Sequence, residues 1–164
     1  MSGYAKGASM AHLSGPQLSI NYAPELDFAL TCVRVQKYEV ASPEYRFEVR
    51  CCVKHPTGHF EYFAQDLCFE PDSFAQFAEG LRNIQRGTAD TAALRNVGEM
   101  LVFQLDRRGR QLRLSLSIRE SLPPGELASL SMAVDADYDL FVNKLGQKVE
   151  GFIADLRDVS PSLH

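Results

Sequence analysis

The sequence predicts an α+β protein built as βββα followed by βββα, with antiparallel sheets packed against two long helices. Two observations carry this. Apolar residues recur with period two over several runs and change to helical spacing twice, each time behind short acidic or proline-containing signals. The two helical stripes also correspond: adding 64 to Phe74, Phe77, Leu81 and Gly87 gives Tyr138, Phe141, Leu145 and Gly151. Neither a half-apolar sheet nor a helix stripe can hide its own apolar side, so the two units are expected to share one core.

The elements follow in order. Residues 1–24, including MSGYAKGASMAHLSGPQLS, are rich in Gly, Ser and Ala, show no period, and read as a flexible leader. The domain is therefore expected over residues 25–158, with similar halves at about 27–87 and 99–156. Phe28 to about Val40 alternates apolar and smaller residues as a strand does, and Ala41–Glu44 is a turn. Tyr45, Phe47, Val49, Cys51 and Val53 then share one parity, while Arg46, Glu48, Arg50 and Lys54 share the other with Cys52. That contrast means one face on a core and one in water. His55–Gly58 supplies a hairpin turn and His59–Phe69 the returning strand. Glu70-Pro71-Asp72-Ser73 opens a helix over 72–86 with the stripe Phe74, Phe77, Ala78, Leu81, Ile84 and a stop at Gly87. Residues 88–98 read as a connector, with a helical turn at Ala92–Leu94.

The second half repeats the plan. Met100–Asp106 is a strand, Arg107–Arg110 a tight turn, and Leu112, Leu114, Leu116 and Ile118 the inner parity of the next strand. Pro123-Pro124-Gly125 forces a loop, Leu127–Val134 gives a shorter strand, and Asp135 and Asp137 cap a helix over 137–156.

At 164 residues the chain has the size of one domain. Apolar residues are 45% and charged residues 23%, which excludes a disordered or fibrous chain. No apolar run reaches the roughly 20 residues of a membrane-spanning helix, and no signal peptide is legible, so a cytoplasmic protein without membrane contact is expected. The four cysteines all fall in strands and read as small buried hydrophobes of a reduced protein. A net charge of −4 opposes general nucleic-acid binding.

Candidates for chemistry are few. Cys51, His55 and His59 form the one Cys/His concentration, and convergence of all three would supply N and S ligands. Their spacing matches no standard finger, so neither a metal nor any other cofactor is expected. No residue pattern offers a nucleophile with its base, and an enzyme is not expected. Arg107, Arg108, Arg110 and Arg113 form a basic cluster that Arg46, Arg50 and Lys54 would extend into a nucleic-acid groove, with Tyr38, Tyr45 and Tyr62 to stack bases; Glu48 and Asp106 interrupt it. Glu70 with Asp72, and Asp135 with Asp137, put four acids at two helix starts. Two caps need fewer, so one pair is expected to face a basic partner.

Asp66-x-x-x-Glu70-Pro-x-x-Phe74-x-x-Phe77-x-x-x-Leu81, the glycine behind it, and Tyr138-x-x-Phe141-x-x-x-Leu145 in a final helix resemble the WapI-type bacterial immunity proteins and neighbouring families. The resemblance covers about Leu26 to Leu156 and rests on core patterns. It implies a non-enzymatic cytosolic protein that binds and neutralises a cognate toxin, with opposite charge favouring a basic toxin domain. The element order is also similar to Whirly-type single-strand DNA-binding proteins. Those have four strands per unit and a basic groove, whereas three strands per unit and broken basic clusters are legible here.

Overall fold

A computed structural model describes residues 15–22, 26–36, 44–122 and 126–159. Among the described residues the fold is α+β, with two antiparallel sheets and two helices. The first unit runs β1 (Gln17–Tyr22), β2 (Leu26–Gln36), β3 (Glu44–His55), β4 (Gly58–Phe69) and α1 (Pro71–Arg86). The second runs β5 (Thr91–Arg95), β6 (Leu101–Arg108), β7 (Gln111–Leu122), β8 (Glu126–Asp137) and α2 (Tyr138–Val159). Each sheet has four strands in sequential order, β1-β2-β3-β4 and β5-β6-β7-β8.

Each unit thus has four strands where three were expected, and the strand missed is the first in both. Residues 17–22 lie inside the expected leader, yet Leu18 and Ile20 are buried and pair with β2 as its edge neighbour. Immediately before β1, Gly15 lies so close to β2 that an added Cβ would collide with the Cys32 carbonyl. Thr91–Arg95, expected as connector with a helical turn, is a strand whose Ala92 and Leu94 point inward. Both strands are short and supply only two inward apolar residues, too few to make a period stand out. Residues 1–14, 23–25, 37–43, 123–125 and 160–164, which hold the rest of the leader, the end of the first expected strand, most of its turn, the proline loop and the tail, lie outside the described residues.

The core joins both units. Phe28 of β2 stacks on Phe103 of β6 at 5.8 Å, and Phe77 of α1 meets the same ring edge-on at 6.0 Å. A second aromatic group brings together Phe47, Phe69, Phe74 and Phe152, with ring centroids between 5.1 and 6.1 Å in the contacts that link them. The helices run antiparallel. Phe74 near the start of α1 touches Phe152 near the end of α2, while Gln85 at the other end donates to Asn143 at 2.8 Å. Arg82 bridges Glu79 at 2.7 Å and Glu150 at 2.8 Å, and both carboxylates hold its guanidinium above its ordinary pKa. Each helix packs against the first strand of the opposite unit, α1 on β5 and α2 on β1.

The helix correspondence is one turn off. Phe141 is half-buried, not core, and Gly151 lies inside α2, whereas Gly87 ends α1 in the left-handed conformation. An offset of 68 instead matches buried residues throughout: Phe74, Phe77, Leu81 and Ile84 with Val142, Leu145, Val149 and Phe152. A stripe repeats every three to four residues, so a one-turn slip looks equally good in sequence.

Candidate functional site

The outer face of the first sheet carries the most distinctive surface. Strand parity puts Phe28, Leu30, Phe47, Val49 and Cys51 inward, and their neighbours outward. The register then builds rows across β2, β3 and β4. Asp27, Cys52 and Glu61 form one row, and Ala29, Arg50 and Phe63 the next. These six residues line an open groove of about 610 Å³. Phe63 is 49% exposed, and the Arg50 guanidinium carbon lies 5.4 Å from its ring centre. A cation over a ring face fixes both side chains while leaving the ring edge to solvent. Beyond the acidic row, Lys54 and His59 form a basic one, bordering a second hollow of about 520 Å³ that shares Cys52 and Glu61. His59 lies 3.9 Å from Glu61.

At the opposite end, β4 bulges. Asp66 has φ 63°, the register slips between Phe47 and Val49, and two arginines hold the distortion. Arg46 donates to the Asp66 carbonyl at 3.2 Å, and Arg34 pairs with its carboxylate at 3.5 Å.

The sequence candidates fare unevenly. Cys51 is buried on the inner face, whereas His59 shares the outer face with Lys54, so Cys51, His55 and His59 do not converge on one point. Burial, then the charges of Cys52 and Asp27, pushes the Cys51 thiol up to about 11; burial does the same to Cys32. The arginine cluster also divides. Arg107 turns to the end of α1, its Nη1 donating to the Ile84 carbonyl at 3.5 Å, while Arg113 stands on the other face of the sheet opposite Asp106. Glu70 is the exposed N-cap residue of α1 but makes no side-chain capping bond, and Asp72 lies exposed in the first turn. Asp135 and Asp137 are residues of β8, at register positions opposite Arg113 and Gln111; their side chains lie outside the described residues. Among the described residues no three His, Cys, Asp or Glu side chains are grouped to hold a metal ion, and no helix is long and apolar enough to cross a membrane.

Sequence reasoning placed Arg50 on the wet face but missed Asp27, Glu61 and Phe63. A signal existed for Phe63. It falls on the polar parity of its strand with His59, Glu61 and Gln65, where a large aromatic ring has no core to enter. No protein family, curated protein or solved structure matches the chain.

Proposed function

We propose that this is a non-enzymatic binding protein that occludes a protein partner, acting in the cytosol as an immunity-like neutraliser of a basic toxin domain. The observation that carries this reading is the groove on the first sheet, where an exposed Phe63 and the Arg50 above it are flanked by Asp27 and Glu61. Aromatic and arginine side chains dominate the energetics of protein interfaces, and flanking carboxylates select a cationic partner. Glu70 and Asp72 add exposed acid at the start of α1, and Asp135 and Asp137 complete the proposed acidic contact set.

The test is a binding assay with the product of the adjacent reading frame. Phe63→Ala and Arg50→Ala should each weaken capture at least about tenfold, as interface anchors do. Replacing Glu70, Asp72, Asp135 and Asp137 with Gln or Asn should weaken it further at low salt and little at high salt, because a charge-steered contact is already screened there. Wild-type strength in the groove variants would remove the groove from the reading, and absence of any capture would remove the reading itself.

Single-strand nucleic-acid binding of Whirly-like architecture is the second reading, favoured by the four strands found in each unit. Against it, several arginines are engaged internally: Arg34 and Arg46 at Asp66, Arg82 at Glu79 and Glu150, Arg95 at Glu99, and Arg107 at Ile84. Titration of a labelled single-stranded oligonucleotide decides it. Tight binding with a steep salt dependence would displace the protein-partner reading.

A further inference from the structure

Sheet edges attract further strands unless something accompanies them. The edge strand β1 lies against α2, where Lys148 donates to the Ser19 carbonyl at 3.2 Å. The edge strand β5 lies under α1, with Gly80 against Ala92, and β8 runs directly into α2. Along Gly58–Ala64, β3 is the one strand neighbour of β4 among the described residues. Phe60 there is 37% exposed on the inner parity and Phe63 is 49% exposed on the outer.

We propose that a second copy of this chain occupies that edge, β4 pairing antiparallel with β4 about a two-fold axis through Phe60, to give one continuous eight-stranded sheet. The dimer does not rest on the function proposed above, although Glu61 serves in both. Antiparallel ladders leave alternate residues of an edge strand with N–H and C=O directed away from their neighbour. Counting from the Pro56–Thr57 turn, those residues are His59, Glu61 and Phe63. A two-fold through Phe60 sets His59 of each copy opposite Glu61 of the other. On the outer face the basic row of Lys54 and His59 then runs into the acidic row of Glu61, Cys52 and Asp27, and symmetry repeats this in reverse. On the inner face Val53 and Phe60 of one copy meet Phe60 and Val53 of the other, and Gly58 leaves room opposite Tyr62. Both faces therefore match in one register. An axis through Glu61 would oppose Glu61 to itself, which is unfavourable. One through Tyr62 would carry the pairing to Gln65, beside the bulge at Asp66.

Pairing of one strand edge covers less than the roughly 1,200–2,000 Å² of a standard interface, so a weak dimer is expected, with Kd of about 1–100 µM. Sedimentation of the full chain over that range should reveal a monomer–dimer equilibrium. Like charges opposite one another destabilise strand pairs, so His59→Glu or Glu61→Lys alone should weaken association about tenfold, and His59→Glu with Glu61→Lys together should restore it. Phe60→Lys should abolish it, with circular dichroism verifying the fold. Amide exchange at His59 and Glu61 should slow as concentration rises. A chain that stays monomeric throughout would overturn the proposal and leave the edge to a different protein. A dimer indifferent to these variants, or single losses that the double variant does not restore, would overturn it equally.

Discussion

Phe77 and Phe141 hold matching places in the sequence repeat, yet only one of them is core. Phe77 is 0% exposed and packs edge-on against Phe103, while Phe141 is half-buried at the margin. Phe77→Ala should cost about 3–5 kcal/mol, the range for a core aromatic, and Phe141→Ala less than about 2 kcal/mol. Urea melts of the two variants would measure the difference. The core thiols give a second residue-scale expectation. Cys32 and Cys51 are raised from 9.0 to about 11 in the folded chain. Below 9 both folded and unfolded thiols keep their protons, and the stability associated with these groups is fully present. Between about 9 and 11 the unfolded thiols ionise while the folded ones do not, so stability falls as pH rises across that window. The urea midpoint should fall over it, and Cys51→Val should lessen the fall.

At the scale of the element, the helix–strand contact between α1 and β5 depends on a missing side chain. A Cβ on Gly80 would stand 2.9 Å from the Ala92 Cβ and 3.3 Å from its Cα, and neither atom is the flexible end of a side chain. Gly→Ala in a helix ordinarily gains ~0.5–1 kcal/mol, but overpacking costs ~1–3 kcal/mol, so Gly80→Ala should destabilise on balance. Adding Ala92→Gly should recover part of the loss in thermal melts. Strand β1 makes a larger demand. Removing residues 1–24, which the sequence pattern marks as a leader, also removes Leu18 and Ile20, each worth ~1.5–3 kcal/mol of burial. Against a typical total of ~5–15 kcal/mol the truncated chain should be unfolded or strongly destabilised by near-ultraviolet circular dichroism and denaturant titration. Normal stability after that truncation would mean that β1 contributes nothing to the core.

Across the whole molecule, each helix reaches into the other unit while keeping contact with its own. α1 lies on β5 and also packs Phe74 against Phe47 and Phe69, and α2 lies on β1 and also touches β8, so the core is shared. Phe74 and Phe152, one from each helix, touch at 5.1 Å above Phe47 of β3. Substitutions in contact are not additive, so a double-mutant cycle of Phe74→Ala and Phe152→Ala should give a coupling of ~0.5–3 kcal/mol. One cooperative unfolding transition should accompany it, since the shared core couples both units. Coupling near zero, or two separate transitions, would mean that the units are energetically independent.

Local patterning is enough to specify the strands from β2 to β4, those from β6 to β8, and both helices, because period two and helical spacing are properties of long runs. It also determined which side of β3 is wet, through the contrast of Arg46, Glu48, Arg50 and Lys54 with Phe47, Val49 and Cys51. Strands β1 and β5 escaped it, being recognisable only by the sheets and helices that they join. The groove was hardly legible for the same reason. Asp27, Arg50 and Glu61 lie on three strands, and only the register of β2, β3 and β4 makes them neighbours. Tertiary structure alone decided that register, separated Cys51 from His59, and turned Arg107 away from Arg113. Side-chain direction follows from local chain geometry, but proximity between distant residues follows from how strands pair, and no local pattern encodes that.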